Sequence, residues 1–560
     1  MTTDTWHSHH LFLHSGTEDT DAFLTRWLAP HLDGLVASGQ AARWFFIRYG
    51  EDGPHLRIRV QGLSARAAAE LPGALARAAK ERPAVTGPWP SYHGEVRAVE
   101  YVPETGRYGG PRALPTAEEV FVLSSRLAVE ALRTLRDRTG GAARLTLAAD
   151  LAHATAYALG MDRLAAARWL RRHASGWRWV TEVALLPGAA VHTRVHTVYA
   201  AQRTALRQRA RDLREGLEGD TGEPWLLEWV QRVREADERL RTELAVPDTA
   251  LPWVWASQLH MLFNRLGVSP DEERAVCLLA ARTLLDTDDA PSFFPEGHRA
   301  ADFQYLERSK LRIGPNGGSP LRTLPPSALP VGVAVTAGPP EVPLPAAPLP
   351  GMSLRTALTN RASARGALRG PLDAEGLGAL LWNALAHSGT SRQHLADGTT
   401  RALDHRPYPS AGALYTVRVR LLALDVTGVP AATYDCVPER RTLRPVGPVP
   451  PVADITPLST YFSRPSHEPD WIGVDEAPVL LGVYADLGLL RRRYGLRALR
   501  LALLEAGHLT QTLLLTATAL GLAGTPLGGF HDDLAHELFG LDDLDHPLQY
   551  LLPLGRRTSG

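Results

Sequence analysis

Residues Gly314 to Pro350 read GPNGGSPLRTLPPSALPVGVAVTAGPPEVPLPAAPLP, and the architecture turns on them. Prolines are too dense here for a helix or a central strand, and no apolar periodicity faces a core. About 35 residues of polyproline stiffness, at roughly 3 Å each, make a tether of tens of ångströms; Val331 to Val335 is the run that could pack locally. The chain is expected to hold two domains, 1–313 and 353–560, joined by a Pro/Gly-rich linker over 314–352. Each half is then read for its own chemistry.

Composition sets the bounds. The 560 residues are 44% hydrophobic and 21% charged, ordinary for a folded protein with room for two cores. Sixty basic residues balance sixty acidic ones, so no global field points to nucleic acid or an anionic membrane. Cys277 and Cys436 form neither a disulfide framework nor a metal cluster, which fits a reducing, cytoplasmic setting. The start, MTTDTWHSHH, lacks a signal-peptide pattern. Leu509 to Phe530 is long enough to span a bilayer, but its threonines, Gly521, Gly524, Pro526, Gly528 and Gly529 favour a buried helix followed by a loop. Because nearly every basic residue is arginine, a single arginine carries little weight.

In the first half, Trp44–Tyr49 and His55–Val60 alternate and flank Gly50–Pro54, the pattern of a β-hairpin. Leu56, Ile58 and Val60 share one face, and His55, Arg57 and Arg59 the other. Same-face neighbours lie about 7 Å apart, so both guanidiniums could grip one anion, although a water-facing strand shows the same pattern. Residues 103–110, PETGRYGG, set Glu104 and Arg107 three apart before two glycines. In LHMLFNRLG (259–267), Leu259, Leu262, Phe263 and Leu266 make an apolar helix stripe ended by Gly267, with His260 and Asn264 one turn apart beside it. From Thr116 to Ala245, charged and Ala/Leu-rich positions alternate at helical spacing.

HLRIRV, ExxRYGG and HMLFNRLG, in this order across residues 5–313, resemble the glutamate-elimination domain of class I lantibiotic dehydratases. That resemblance implies an α+β domain in which Arg57, Arg59, Glu104, Arg107 and His260 grip an anion and catalyse. It also implies a substrate: a precursor peptide whose Ser or Thr hydroxyl has been glutamylated from tRNA by a separate enzyme. β-Elimination then leaves dehydroalanine or dehydrobutyrine. The adduct keeps a free side-chain carboxylate, which suits arginine, and an ordinary histidine exchanges protons near neutral pH.

In the second half, a helical pattern over 353–388 breaks at Arg361-Ala362-Ser363-Ala364-Arg365, where two arginines flank a hydroxyl, a phosphate-binding pattern or a surface turn. RPYPSAGALY (406–415) cannot be ordinary helix, and its small residues let backbone approach a flat ligand. From Leu496 a largely buried helix is expected, failing near Gly521–Pro526, with Glu505, His508 and Gln511 in need of partners. Leu548–Leu554 reads as a final strand ending at Gly555-Arg556-Arg557.

RPYPSAGALY and the Tyr494-Gly-x-Arg…Glu-x-Gly-His-x-x-Gln511 helix make residues 353–560 resemble the FMN-dependent nitroreductase fold, specifically SagB-type azoline dehydrogenases. The resemblance implies that Arg361, Ser363, Arg365 and Arg556 hold the FMN phosphate, and that Pro409, Ser410, Ala411 and Gly412 approach the isoalloxazine. Gln511, Gly528 and Gly529 complete the flavin site, at the interface of a homodimer. These enzymes commonly carry Lys-Tyr where this chain has Arg493-Tyr494. Arginine stays protonated, so Arg493 could only orient substrate or assist Tyr494, the expected base. The fusion resembles bifunctional proteins of lactazole-type thiopeptide pathways, which act on a precursor peptide also handled by an azoline-forming cyclodehydratase, with no membrane or direct nucleic-acid contact. The alternative is an NAD(P)H-dependent nitroreductase fused to a non-catalytic peptide-docking module.

Overall fold

A computed structural model of the chain describes residues 5–135, 141–177, 180, 183–286, 301–310, 340–394 and 398–557. They divide into two compact units, Met1–Leu186 with Thr193–Asp286, and Thr287–Gly560 with Pro187–His192. Each mixes helices with a sheet, the α+β class expected.

In the first unit, β1 (Trp6–Phe12), β2 (Arg43–Tyr49), β3 (His55–Gln61) and β4 (Val96–Ala98) form an antiparallel sheet in the order β2-β3-β1-β4. The predicted hairpin sets Tyr49 opposite His55. Leu56, Ile58 and Val60 are buried in one core with Leu71 and Leu75 of the helix Ala65–Lys80. The other face is not left to water: Phe45 packs there with Tyr108, Ala117 and Phe121, and Met261 lies against them. These last residues come from the helices Leu114–Leu135 and Leu251–Leu266.

β2 is an edge strand, and side chains satisfy its outward backbone. Phe46 N donates to Ser125 Oγ at 3.2 Å, Arg48 N to Asn264 Oδ1 at 2.9 Å, and Asn264 Nδ2 to Arg48 O at 2.8 Å. The Asn264 amide thus stands in for one residue of a neighbouring strand. It thereby fixes the helix that carries His260 against the sheet. Gly267, at φ 75°, ends that helix as predicted.

The second unit contains β5 (Val342–Pro343), β6 (Gly366–Arg369), β7 (Gly389–His394), β8 (Thr400–His405), β9 (Val417–Ala423), β10 (Ala432–Val437), β11 (Thr442–Gly447), β12 (Ile472–Gly473), β13 (Val479–Ala485), β14 (Ala523–Gly524) and β15 (Leu548–Arg557). Its main sheet runs β12-β6-β15-β13-β9-β10-β11-β5 with β14 on β15, while β7 and β8 form a separate hairpin. β13, VLLGVYA, is buried along its whole length, as a central strand covered on both faces must be. The helix Ala498–Ala519 closes this core through Ala498, Ala502, Leu509 and Leu513.

Four expectations are corrected here. The helix expected to be largely buried from Leu496 is amphipathic: Leu496, Leu503 and Leu504 are exposed, as are His508 and Gln511, and of the three polar residues Glu505 alone is buried. The last strand does not end at Leu554 but continues to Arg557, pairing with β6. Residues 340–352, assigned to the linker, join the second unit: β5 pairs with β11, and Leu344 O accepts from Trp382 Nε1 at 3.3 Å. The helix Ala301–Arg308, assigned to the first domain, also joins it, because Tyr305 Oη accepts from Arg500 N at 2.9 Å. The remainder of the expected linker, 314–339, and Val331–Val335 within it, lie outside the described residues. Among the described residues no helix is long and apolar enough to cross a membrane; within Leu509–Phe530 the helix stops at Ala519, before Gly521 at φ 68°.

Candidate active sites

The register of the first sheet gathers the predicted arginines on one face. Arg59 lies opposite Ser8 and Phe45, and Arg57 opposite His10 and Ile47. Arg59 is only 7% exposed, with its guanidinium 4.7 Å above the Tyr101 ring, and its Nε and Nη1 find no hydrogen-bond partner. Burial brings its pKa down to about 10. Arg265, fully buried beside the Phe121 ring, donates Nε to Ser125 Oγ at 2.9 Å, while both terminal nitrogens lack partners. Its pKa falls to about 9, burial again the main cause. Two desolvated guanidiniums with orphaned donors make this face avid for an anion, since aromatic rings offset only part of the loss of water.

The loop after β4 brings Glu104 and Arg107 to the same place. Tyr108, the residue after Arg107, is buried in the cluster with Phe45 and Phe121, its pKa pushed up to about 12 by burial and modulated by the charges of Arg265, Arg107, Glu104 and Arg59. Arg107 and Glu104 pair at 3.3 Å on the surface. Gly109, at φ 87°, closes the turn, and a Cβ there would lie 3.0 Å from Ala113. Arg57 instead stacks 3.4 Å from the Tyr49 ring centroid and pairs with Glu51 at 3.3 Å. The positive field is evident at His10, opposite both Arg57 and Arg97: burial first, then Arg57, His55, Arg59 and Arg97, lower its pKa to about 4.

His260 joins a different cluster. Its Nδ1 is 2.9 Å from Glu273 Oε2, and Glu273 Oε1 lies 2.5 Å from His173 Nε2 and 3.1 Å from Trp177 Nε1. Glu273 is 1% exposed; burial pushes its carboxyl up, but His260 and His173 outweigh that and hold it well below the usual carboxylate range. Among the described residues His260 meets Glu273 and Trp177 rather than the arginines, so the predicted residues fall into a face of arginines and a separate histidine–carboxylate cluster. Arg265, Glu273, His173, Tyr101 and Tyr108 were not singled out from sequence.

In the second unit, the turn RPYPSAGALY and the end of the helix Leu487–Tyr494 meet. Gly412 has φ 61°, and a Cβ there would lie 2.5 Å from Tyr494 Oη and 3.3 Å from Arg493 Cζ. Only glycine lets both side chains approach the backbone this closely. Beneath the turn, the 1% exposed Glu505 accepts from Ser410 Oγ at 2.6 Å and Val417 N at 2.9 Å, while Ser410 Oγ accepts from Tyr415 N at 2.8 Å. Burial raises the Glu505 pKa, and these donors reduce the rise. Pro409 is exposed and Ala411 half-buried above this hub.

Arg361, Arg556 and Arg557 line a cleft of about 370 Å³ together with Leu514, Thr518 and Gly524. Three arginines around a cleft of this size fit a phosphate-bearing cofactor. Gln511, one turn before Leu514, stands on the same helix face. Ser363 is exposed, bridging to Gly524 beside the cleft. Arg365 departs from expectation: it pairs with Asp470 at 3.5 Å and donates to Thr525 Oγ1 at 3.4 Å. Gly528 and Gly529 are exposed with open space around them, and are not among the residues lining the cleft.

The chain thus holds two α+β units, the first with a face of buried arginines and the second with a cleft lined by arginines. Residues 6–284 match the family described as lantibiotic biosynthesis dehydratase C-term, and residues 358–556 match the nitroreductase family. The chain therefore carries a lantibiotic dehydratase C-terminal domain fused to a nitroreductase domain. A Methanocaldococcus jannaschii protein named as a nitroreductase is 28% identical over 169 residues, 29% of this chain and 77% of that protein. The microcin B17-processing protein McbC of Escherichia coli is 30% identical over 141 residues, 24% of this chain; the chain spans about half of McbC, 49%. The pyridine synthase TbtD from thiomuracin biosynthesis aligns with a TM-score of 0.41 at 24% identity, over 50% of this chain and 97% of that one. The domain pair is that of an enzyme tailoring ribosomally made peptides, with an oxidoreductase half.

Proposed function

We propose that the chain is a bifunctional thiopeptide tailoring enzyme. Its first unit eliminates glutamate from glutamylated Ser or Thr residues, and its second oxidises thiazolines or oxazolines to the aromatic azoles. In the first reaction a base removes the peptide α-proton, the Cα–Cβ double bond forms, and the Cβ–O ester bond breaks to release glutamate. Arg59, with Arg57 and Arg107, grips the free carboxylate of the adduct, and His260 moves the proton. Glu104 sits beside Arg107 to orient it. The orphaned, desolvated donors of Arg59 carry this assignment, because a carboxylate supplies what their surroundings lack.

In the second unit, Arg361, Arg556 and Arg557 would hold the FMN phosphate, with Ser363 and Gln511 at the margin. Bound FMN supplies a two-electron acceptor for the hydride lost from the azoline. Tyr494 takes the accompanying proton, held over Gly412 and flanked by the Arg493 cation. The exposed Leu354, Leu358, Leu503 and Leu504 suit a second copy across the flavin domain. The precursor peptide arrives from a separate glutamylating enzyme and a cyclodehydratase.

Orthogonal variants test the assignment. Arg59→Ala should leave glutamylated peptide unconverted while azoline oxidation stays normal, and Tyr494→Phe should do the reverse, each by about 10²-fold. Mass analysis of a glutamylated azoline peptide reads both. An Arg59→Ala variant that eliminates at the normal rate removes the first assignment; nicotinamide-driven turnover without peptide would favour a nitroreductase instead.

A further inference from the structure

We infer that Glu273 is the positioning residue that fixes the proton-transfer tautomer of His260, with His173 locking its second oxygen. This rests on the reading of His260 as the proton-transfer residue of the elimination site.

The geometry leaves little choice of proton placement. An ionised carboxylate only accepts hydrogen bonds, so a ring nitrogen 2.9 Å from Glu273 Oε2 must carry a hydrogen. That nitrogen is Nδ1 of His260, which leaves Nε2 as the nitrogen free to take a proton. Glu273 cannot drift from this duty. Its other oxygen accepts from His173 Nε2 at 2.5 Å and from Trp177 Nε1 at 3.1 Å, and the carboxylate is 1% exposed. The Trp177 ring also meets His260 edge-on at 5.0 Å, limiting ring rotation. The groups around the carboxylate are therefore two imidazoles and an indole N–H, with the buried Cys277 thiol one turn along the same helix. Three donors converging on two oxygens keep it ionised, as its depressed pKa also indicates.

Glutamine at 273 has the same shape but one acceptor oxygen. Whichever way the amide lies, either His260 or His173 meets an NH2 group and must turn its lone pair toward it. When His260 is the one that turns, its hydrogen moves to Nε2 and proton abstraction there is lost.

The test uses the full chain and a glutamylated peptide. Glu273→Gln should lower kcat for elimination by about 10²-fold with little change in KM, and leave azoline oxidation alone. In parallel, ¹⁵N-histidine spectra of the unaltered protein at alkaline pH, with His260 assigned by comparison with His260→Gln, should show hydrogen on Nδ1. This measurement needs no folded Glu273 variant. Hydrogen on Nε2 overturns the inference. So does a folded Glu273→Gln protein that eliminates at the normal rate while His260→Gln does not. If His260→Gln itself eliminates normally, the reading of His260 fails instead, whatever Glu273 does.

Discussion

Glu273 in the first unit and Glu505 in the second are buried to the same degree, 1% exposed, and the two are driven in opposite directions. Glu273 in the first unit falls below the usual carboxylate range, because burial is outweighed by His260 and His173. Glu505 in the second rises, because burial prevails over the donors of Ser410, Val417 and Thr416 and over the weaker pull of the Arg406 charge. Desolvation alone lifts a carboxyl, neutral donors soften the rise, and directly hydrogen-bonded groups that can carry positive charge reverse it. The first glutamate is therefore an electrostatic part that needs its charge. The second is a geometric part that needs its oxygens, tying the Ser410 turn and the start of β9 to the long helix.

The difference is sharpest if both residues lose charge but keep shape. Glu273→Gln should destabilise the first unit by about 3 kcal/mol, the scale for breaking a buried charged pair. Glu505→Gln should alter the second by no more than about 1 kcal/mol, since an amide oxygen still accepts from Val417 N or Ser410 Oγ. Thermal unfolding of the full chain, with the two transitions followed separately, measures both. Equal losses would break the comparison.

pH should separate the units more gently. A carboxyl with a depressed folded pKa stabilises fully above the ordinary glutamate range and loses that contribution as pH falls through and below it. For Glu273 this means a first transition that weakens on acidification. A carboxyl with a raised folded pKa contributes fully below the ordinary range and loses its contribution as pH rises through its folded value. For Glu505 this means a second transition that strengthens slightly from neutral pH toward the upper carboxylate range. Melting curves at stepped pH, repeated on the two glutamine variants, should show each slope vanish with its own residue.

The contrast also marks what sequence could convey. The hairpin, the helix stop at Gly267 and the turn at Gly412 were legible, because alternation and glycine placement are local signals. Glu273 was not. It sits in the first turn of a helix opened by Ser269 with Glu272 in a capping box, where acids are favoured for the helix dipole alone. Nothing local sets it apart from Asp271 and Glu272, and its partners lie 13 and 100 positions away. Arg265 was hidden differently, as one arginine in an arginine-rich chain, beside an apolar stripe whose register shows only in the packed helix. Glu505 was legible as a polar residue in an apolar helix, but its companions His508 and Gln511 face outward, because the helix is covered on one side only. Arg556 and Arg557 were legible as the charged end of the last strand, but their place in the cleft shows only once that strand pairs with β6.

Ser410 gives the most local test of whether the second glutamate acts through geometry. Its hydroxyl donates to Glu505 Oε2 and accepts from Tyr415 N, so it links the buried carboxylate to the turn that holds Gly412 under Tyr494. Ser410→Ala removes one donor and one acceptor from a site where Val417 N still serves the carboxylate. Stability of the second transition should fall by about 1 kcal/mol. The carboxyl loses a donor that opposed its upward shift, so the slope assigned to Glu505 should extend to higher pH. Azoline oxidation should drop several-fold as the Gly412 turn loosens, with elimination untouched. If the variant lost stability but oxidised azolines at the normal rate, the hub would support the fold without placing Tyr494. The distinction between the two glutamates would then rest on charge alone.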